Sequence, residues 1–107
     1  MVKGAHMNYK TEDIADGKEV FISGSFTFRD HDTFFEIISL LKTGSCKKLI
    51  FNLSGCDFID SAGLGMFVIA HDEAESKSIE LVIKGAQGKV RDVMLATRFD
   101  SLYTFEN

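Results

Sequence analysis

Two periods run through the hydrophobic positions of this chain. Glu19 to Ser23, E-V-F-I-S, is β-branched and aromatic and predicts a strand. Asp16-Gly17 before it is a hairpin turn signal, making Tyr9 to Ile14 the antiparallel partner. Gly24 to Arg29 follows as a loop, and its Phe26 and Phe28, two apart, both read as core. Phe34, Ile37, Ile38 and Leu41 repeat at i, i+3, i+4, i+7, so a helix is expected from about Asp32 to Thr43. Thr33 and Glu36 have capping-box spacing there, and Gly44 is a stop. Leu49-Ile50-Phe51 with Leu53 has no period, which fits a strand buried on both faces, and Ser54-Gly55 reads as its turn.

A long segment without proline, from Asp60 and Ser61 to near Lys77 and Ser78, predicts the second helix. Ile79 to Ile83, I-E-L-V-I, is another strand, followed by a loop from Gly85 to Gly88. Val90, Val93, Met94 and Thr97 mark one face of a last helix, Phe99 and Leu102 close the core, and Leu102 to Phe105 is a short edge strand. Strands alternating with helices imply a single α/β domain. Its sheet is mixed and mainly parallel, joined by right-handed crossover helices, with one antiparallel hairpin at the start.

The stretch F-I-D-S-A-G-L-G-M-F-V, Phe58 to Val68, holds the candidate chemistry. Asp60 and Ser61 are both preferred at a helix N-cap, where a side-chain oxygen accepts from an unpaired backbone N–H. Gly63 and Gly65 each cost about 1 kcal/mol of helix propensity against alanine, so close approach of another backbone or of a partner is expected to compensate. On a helical wheel Ser61, Leu64, Gly65, Val68, Asp72, Glu75 and Ser76 share one stripe, polar toward its end and therefore expected to face solvent. Ala62, Met66, Ala70 and Ala74 lie opposite and are expected to face the sheet. Leu64 and Val68 then flank an exposed hydroxyl with apolar surface, the makings of a docking site; the alternative on the wheel alone is that this helix is simply well buried.

Enzymatic readings of the same stretch fail on spacing. A nucleophile elbow, G-x-S-x-G, would need glycine where Ile59 stands, and His71 lies ten residues down the helix from Ser61, roughly 15 Å along its axis. A dinucleotide fingerprint would need a third glycine where Val68 stands. Gly85 to Val90 lacks Walker A spacing. His31 and His71 read as isolated, and Cys46 and Cys56 lack ligand spacing, so no metal, cofactor or catalytic residue is expected.

At 107 residues the chain suits one domain, and 45% apolar content argues against disorder. The net charge of -4, without a Lys/Arg cluster, argues against nucleic acid. No stretch is long enough to insert in a membrane, and Cys46 and Cys56 read as reduced thiols of a cytoplasmic protein. Met1 to Met7, M-V-K-G-A-H-M, reads as an appended leader, with the native start at or just after Met7 and the domain over 8–107.

D-S-A-G-L-G after an apolar strand resembles the signature of STAS domains, the anti-sigma factor antagonist family. The resemblance runs from Tyr9 to about Phe105, and the element order matches. I-S-G-S-F-T-F, Ile22 to Phe28, with Phe34, is similar to the bacterial subgroup of phosphorylation-controlled switches. The resemblance implies that Ser61 is phosphorylated by a partner kinase and dephosphorylated by a serine phosphatase. Unphosphorylated, the domain would bind an anti-sigma factor that is itself a serine kinase with a histidine-kinase-like ATP fold. Asp60, Ser61, Ala62, Gly63, Leu64, Gly65 and Val68 would form the contact of a monomer or weak dimer. Members of the family often carry an acid where this chain has Thr27, with acids here at Asp30 and Asp32. The alternative within the family is a non-switching scaffold or ligand-sensing subunit of a larger signalling or lipid-transport complex.

Overall fold

Five strands form one sheet in sequence order, β1-β2-β3-β4-β5. The structure, a computed structural model, describes residues 7–39 and 46–106. β1 (Asn8–Ile14) and β2 (Gly17–Phe26) are antiparallel, and β2, β3 (Lys48–Ile59), β4 (Glu80–Lys84) and β5 (Thr104–Glu106) are parallel neighbours. Between them lie α1 (His31–Ser39), α2 (Ser61–Ser76) and α3 (Gly88–Ala96), with short 3-10 turns at Phe28–Asp30 and Phe99–Ser101. Parallel steps taken in one direction by right-handed crossovers put all connecting helices on one face. Accordingly Val20, Ile22, Leu49, Phe51, Leu53, Leu81 and Ile83, the alternate residues of three strands, share one cluster with side chains of all three helices. On the opposite parity Ile50 pairs with Val82, and both are buried without joining that cluster.

Aromatic rings fill the space between sheet and helices. Phe67 of α2 is their hub, meeting Phe26, Phe34, Phe51 and Tyr103 edge-on at centroid distances of 5.3, 5.2, 5.0 and 6.0 Å. The geometry suits the ring quadrupoles. The Tyr103 hydroxyl donates to the Phe67 carbonyl at 2.7 Å, which satisfies a phenol that is almost fully buried. Burial holds that phenol well above the ordinary tyrosine range, because the phenolate would lose its hydration.

Several local expectations give way to packing. The first turn is one residue earlier than Asp16-Gly17, since Gly17 already pairs with Ile14. Ser54-Gly55 is no turn: β3 runs through it to Ile59, and β2 extends past Ser23 to Phe26. The pairs Ser23–Gly55, Gly24–Cys56, Ser25–Phe58 and Phe26–Ile59 carry both strands on, with register shifts absorbing the irregularity. The capping box is formed by Thr27 and Asp30, upstream of Thr33 and Glu36. Phe28 is exposed rather than core, because the 3-10 turn breaks the two-residue alternation that would have placed it beside Phe26. Thr97 is exposed and bonds back to Val93, so α3 buries only Val90 and Met94 fully. Leu41 and Thr43, expected in the first helix, and Gly44, expected as its stop, lie outside the described residues. Met7, set aside as leader, is buried in the core cluster, and its amide donates to Asp30. Cys46 and Cys56 are both free thiols, Cys46 half-buried and Cys56 buried. Among the described residues no helix is long and apolar enough to cross a membrane.

Candidate partner-binding site

The end of β3 and the first turn of α2 meet at Asp60. Its backbone is extended, and its Oδ1 accepts from the Gly63 N–H at 2.8 Å, so Asp60 is the N-cap of α2. Its own N–H donates to the Phe26 carbonyl at 3.3 Å, which ties the helix start to the end of β2. Ser61 is therefore the first helical residue. It is exposed, and no described group bonds its hydroxyl. Sequence reasoning left the cap open between Asp60 and Ser61; the fold gives the cap to the aspartate and frees the serine.

The two glycines differ in what surrounds them. A β-carbon on Gly63 would stand 2.8 Å from both the Phe26 carbonyl oxygen and Ile59 Cγ1, so close approach of β2 requires glycine there. A β-carbon on Gly65 would meet nothing within 4 Å. Its propensity cost finds no compensation within the described residues.

The expected solvent stripe needs one correction and one addition. Ser61, Gly65, Val68, Asp72, Glu75 and Ser76 are exposed, but Leu64 is half-buried and packs against the core. Met66, Ala70 and Ala74 are buried as the wheel places them, whereas Ala62 is only half-buried and Gly63 and Phe67 take the deep positions. The helix is apolar nearly all round through its first three turns, so the wheel had little to orient it. The addition is Ile69, exposed beside Val68.

Five of the six large hydrophobic residues exposed among those described lie at or next to this end of the sheet or on α2: Phe28, Phe35, Phe58, Val68 and Ile69, with Tyr9 the exception. Asp30, noted in the sequence only as an acid displaced from Thr27, is buried. Its carboxylate accepts from the amides of Thr27 at 2.9 Å and Met7 at 3.0 Å, fixing the corner between β2 and α1. The signal for it was T-F-R-D itself, a Thr and an acid three apart before a helix.

The titratable groups nearby do not assemble a nucleophile and base. His71 is not isolated, since its Nδ1 lies 3.4 Å from Asp72 Oδ1 and Glu75 is within ligand reach of both, but this group sits on the exposed flank of α2. His31 stacks on Phe28, with Nδ1 donating to that residue's carbonyl at 2.8 Å. Burial raises the Cys56 thiol above its ordinary value, with backbone hydrogen bonding at Phe58 opposing this in part. That is the setting of an inert structural thiol.

A mixed five-stranded sheet with helices on one face and an exposed serine opening the helix after its central strand defines a single α/β domain. The chain matches the STAS domain family over residues 8–107 and belongs to it. It is 24% identical over 94 residues to a STAS-domain containing protein of Pseudomonas aeruginosa (strain UCBPP-PA14), a match spanning 83% of this chain and 89% of that one. Among solved structures it is similar to an anti-sigma factor antagonist from Mycobacterium paratuberculosis, with TM-score 0.83, 18% identity and coverage of 99% and 90%. It is also similar to the anti-sigma factor antagonist SpoIIAA in its unphosphorylated form, with TM-score 0.79, 16% identity and coverage of 94% and 89%. The Bacillus SpoIIAA in its phosphorylated form superposes with TM-score 0.73 at 16% identity, covering 94% and 92%. At these identities the structural likeness is one of fold.

Proposed function

We propose that this domain is an anti-sigma factor antagonist, a cytoplasmic binding module whose contact with its partner is switched by phosphorylation of Ser61. The observation that carries the reading is the first two turns of α2: an unbonded serine hydroxyl, an unhindered Gly65 and an exposed Val68 on one solvent stripe. The partner is an anti-sigma factor that is also a serine kinase with a histidine-kinase-like ATP fold, and a serine phosphatase restores the binding form. The domain acts as a monomer or weak dimer, and Asp60, Ala62, Gly63 and Leu64 shape the surface rather than supply its exposed contacts.

The switch works by electrostatics at the interface. A phosphate adds roughly -1.5 to -2 charges at neutral pH. The free domain tolerates it, because a helix N-terminus favours negative charge and the opposing charge of Asp60 is screened by solvent. In the complex that charge must be desolvated against the partner, which costs several kcal/mol unless a cation awaits it.

The test is incubation with the cognate switch kinase and ATP, followed by intact mass and peptide mapping. One phosphate at Ser61 is expected, with none on Ser61→Ala. Phosphoserine at 61 should weaken binding of the kinase at least about tenfold, or 1.4 kcal/mol, with an unchanged circular dichroism spectrum. Equal affinity of the two forms would refute the switch.

A further inference from the structure

The face of the sheet turned away from the helices carries a hollow across β1, β2 and β3. Phe21 and Asn52 alternate with the core residues Val20, Ile22, Phe51 and Leu53, so their side chains point to that face. Lys10 stands opposite Phe21, Phe21 opposite Asn52, and Asn8 opposite Ser23. With Ser54 these residues line a cavity of about 340 Å³. That volume is at the lower end of the range for small-molecule sites. The hollow has a local cause. Phe21 and Ser23 on β2 pair with Asn52 and Gly55 on β3, so β3 carries an extra residue at this step. Such a bulge re-aims side chains and recurs beside functional sites. Gly55 leaves the step open, and a β-carbon there would stand 2.9 Å from Ser23 Cβ. Asn52 fixes the bulge. Its Oδ1 accepts from the Ser54 amide at 3.0 Å and the Ser54 hydroxyl at 2.8 Å, and its Nδ2 donates to Glu19 at 2.9 Å.

We infer that this hollow binds a small aromatic carboxylate. Its floor is the half-buried Phe21 ring, and the Lys10 ammonium lies 5.4 Å from the ring centroid. Lys10 is the one charged residue among those described that line the hollow, so the charge it selects is negative. Glu12, 3.9 Å from that ammonium, is exposed and a weak competitor. Glu19 on the same face is already held by Asn52 and lies 3.9 Å from Lys84. No described group bonds the Ser23 hydroxyl or the Asn8 side-chain amide, which leaves both to donate to a carboxylate. A flat ring stacks on Phe21 while the Lys10 ammonium follows the carboxylate on its flexible stem. An exposed ion pair alone is worth little, so the ring supplies affinity and the charge supplies selection. The site takes no residue from α2 and stands independently of the Ser61 reading.

The experiment titrates the isotopically labelled chain with naphthoate and follows the backbone amides by NMR. Naphthamide, which lacks the charge, and decahydronaphthoate, which lacks the flat ring, are titrated in parallel. Saturable shifts are expected at Lys10, Phe21, Ser23, Asn52 and Ser54, with a naphthoate dissociation constant on the order of 1 mM or tighter, as suits a ligand of this size. Naphthamide and decahydronaphthoate should each bind about threefold or more weakly, a comparison that needs no variant to fold. Lys10→Met keeps the apolar stem and should show the naphthamide loss toward naphthoate with an unchanged melting temperature. Naphthoate shifts that never saturate, or that fall elsewhere on the domain, overturn the inference. Equal affinity for naphthoate and naphthamide, or a Lys10→Met variant that binds naphthoate as tightly as the parent, removes the anion from it and overturns it equally. Equal affinity for decahydronaphthoate does the same for the ring.

Discussion

The Phe26 carbonyl oxygen stands 2.8 Å from where a β-carbon on Gly63 would sit, while two residues later Gly65 faces open space. One glycine serves the fold and the other does not. Gly63→Ala must displace backbone or Ile59 and is expected to destabilise by roughly 1–3 kcal/mol, as overpacking does. Gly65→Ala relieves a propensity cost and is expected to stabilise by up to about 1 kcal/mol while weakening the kinase. Thermal melts paired with titration check this. A Gly65→Ala variant that binds as tightly as the parent would mean that no partner approaches the helix there.

Asp60 and Ser61 are adjacent but separable. Asp60→Ala removes the side-chain cap from Gly63 N–H and should cost about 1 kcal/mol. Ser61→Ala removes an unbonded surface hydroxyl and should change stability by less than about 0.5 kcal/mol. Denaturant titration of both variants decides the matter, and a large loss from Ser61→Ala would transfer the cap to the serine.

Tyr103 makes the domain sensitive to alkali. Its folded pKa lies well above the ordinary value of 10.0 because of burial, so the folded state keeps the phenolic proton that the unfolded chain gives up. The stability this contributes is whole below pH 10.0 and is lost as pH rises through the folded value. Melting temperature should therefore fall steeply above that point, and Tyr103→Phe should flatten this part of the profile. The same variant loses the bond to Phe67 and should cost about 1 kcal/mol at neutral pH. A Tyr9→Phe background isolates the Tyr103 absorbance, which should show phenolate only as the domain unfolds.

The two thiols are expected to react in a fixed order and never with each other. Cys46 is half-buried and should take maleimide first, whereas Cys56 is buried, has a raised pKa and should wait for opening of the sheet. β3 runs extended between them, so at about 3.3 Å per residue they are far beyond the ~7 Å that a disulfide allows. Timed labelling with intact mass tests both points, and a loss of two hydrogens under mild oxidation with the fold retained would contradict the placement.

The order of strands and helices, the hairpin and the start of α2 at Asp60 and Ser61 were all legible from periodicity and punctuation, because each is dictated by neighbours in sequence. What the sequence could not decide was how those elements turn toward each other. Leu64 and Val68 look alike on the wheel, yet Leu64 packs against the core and Val68 does not, because Phe67 inserts between Phe26, Phe34 and Phe51 and sets the rotation of α2. Phe26 and Phe28 look alike too, yet one is core and the other surface, because a buried Asp30 gathers the amides of Thr27 and Met7 and breaks the strand between them. Ser54-Gly55 would be a turn in isolation and is a strand here, because β2 supplies a ladder of hydrogen bonds to it. Local chemistry proposes each conformation, and the surface shared with distant residues, worth more than any local propensity, selects among them.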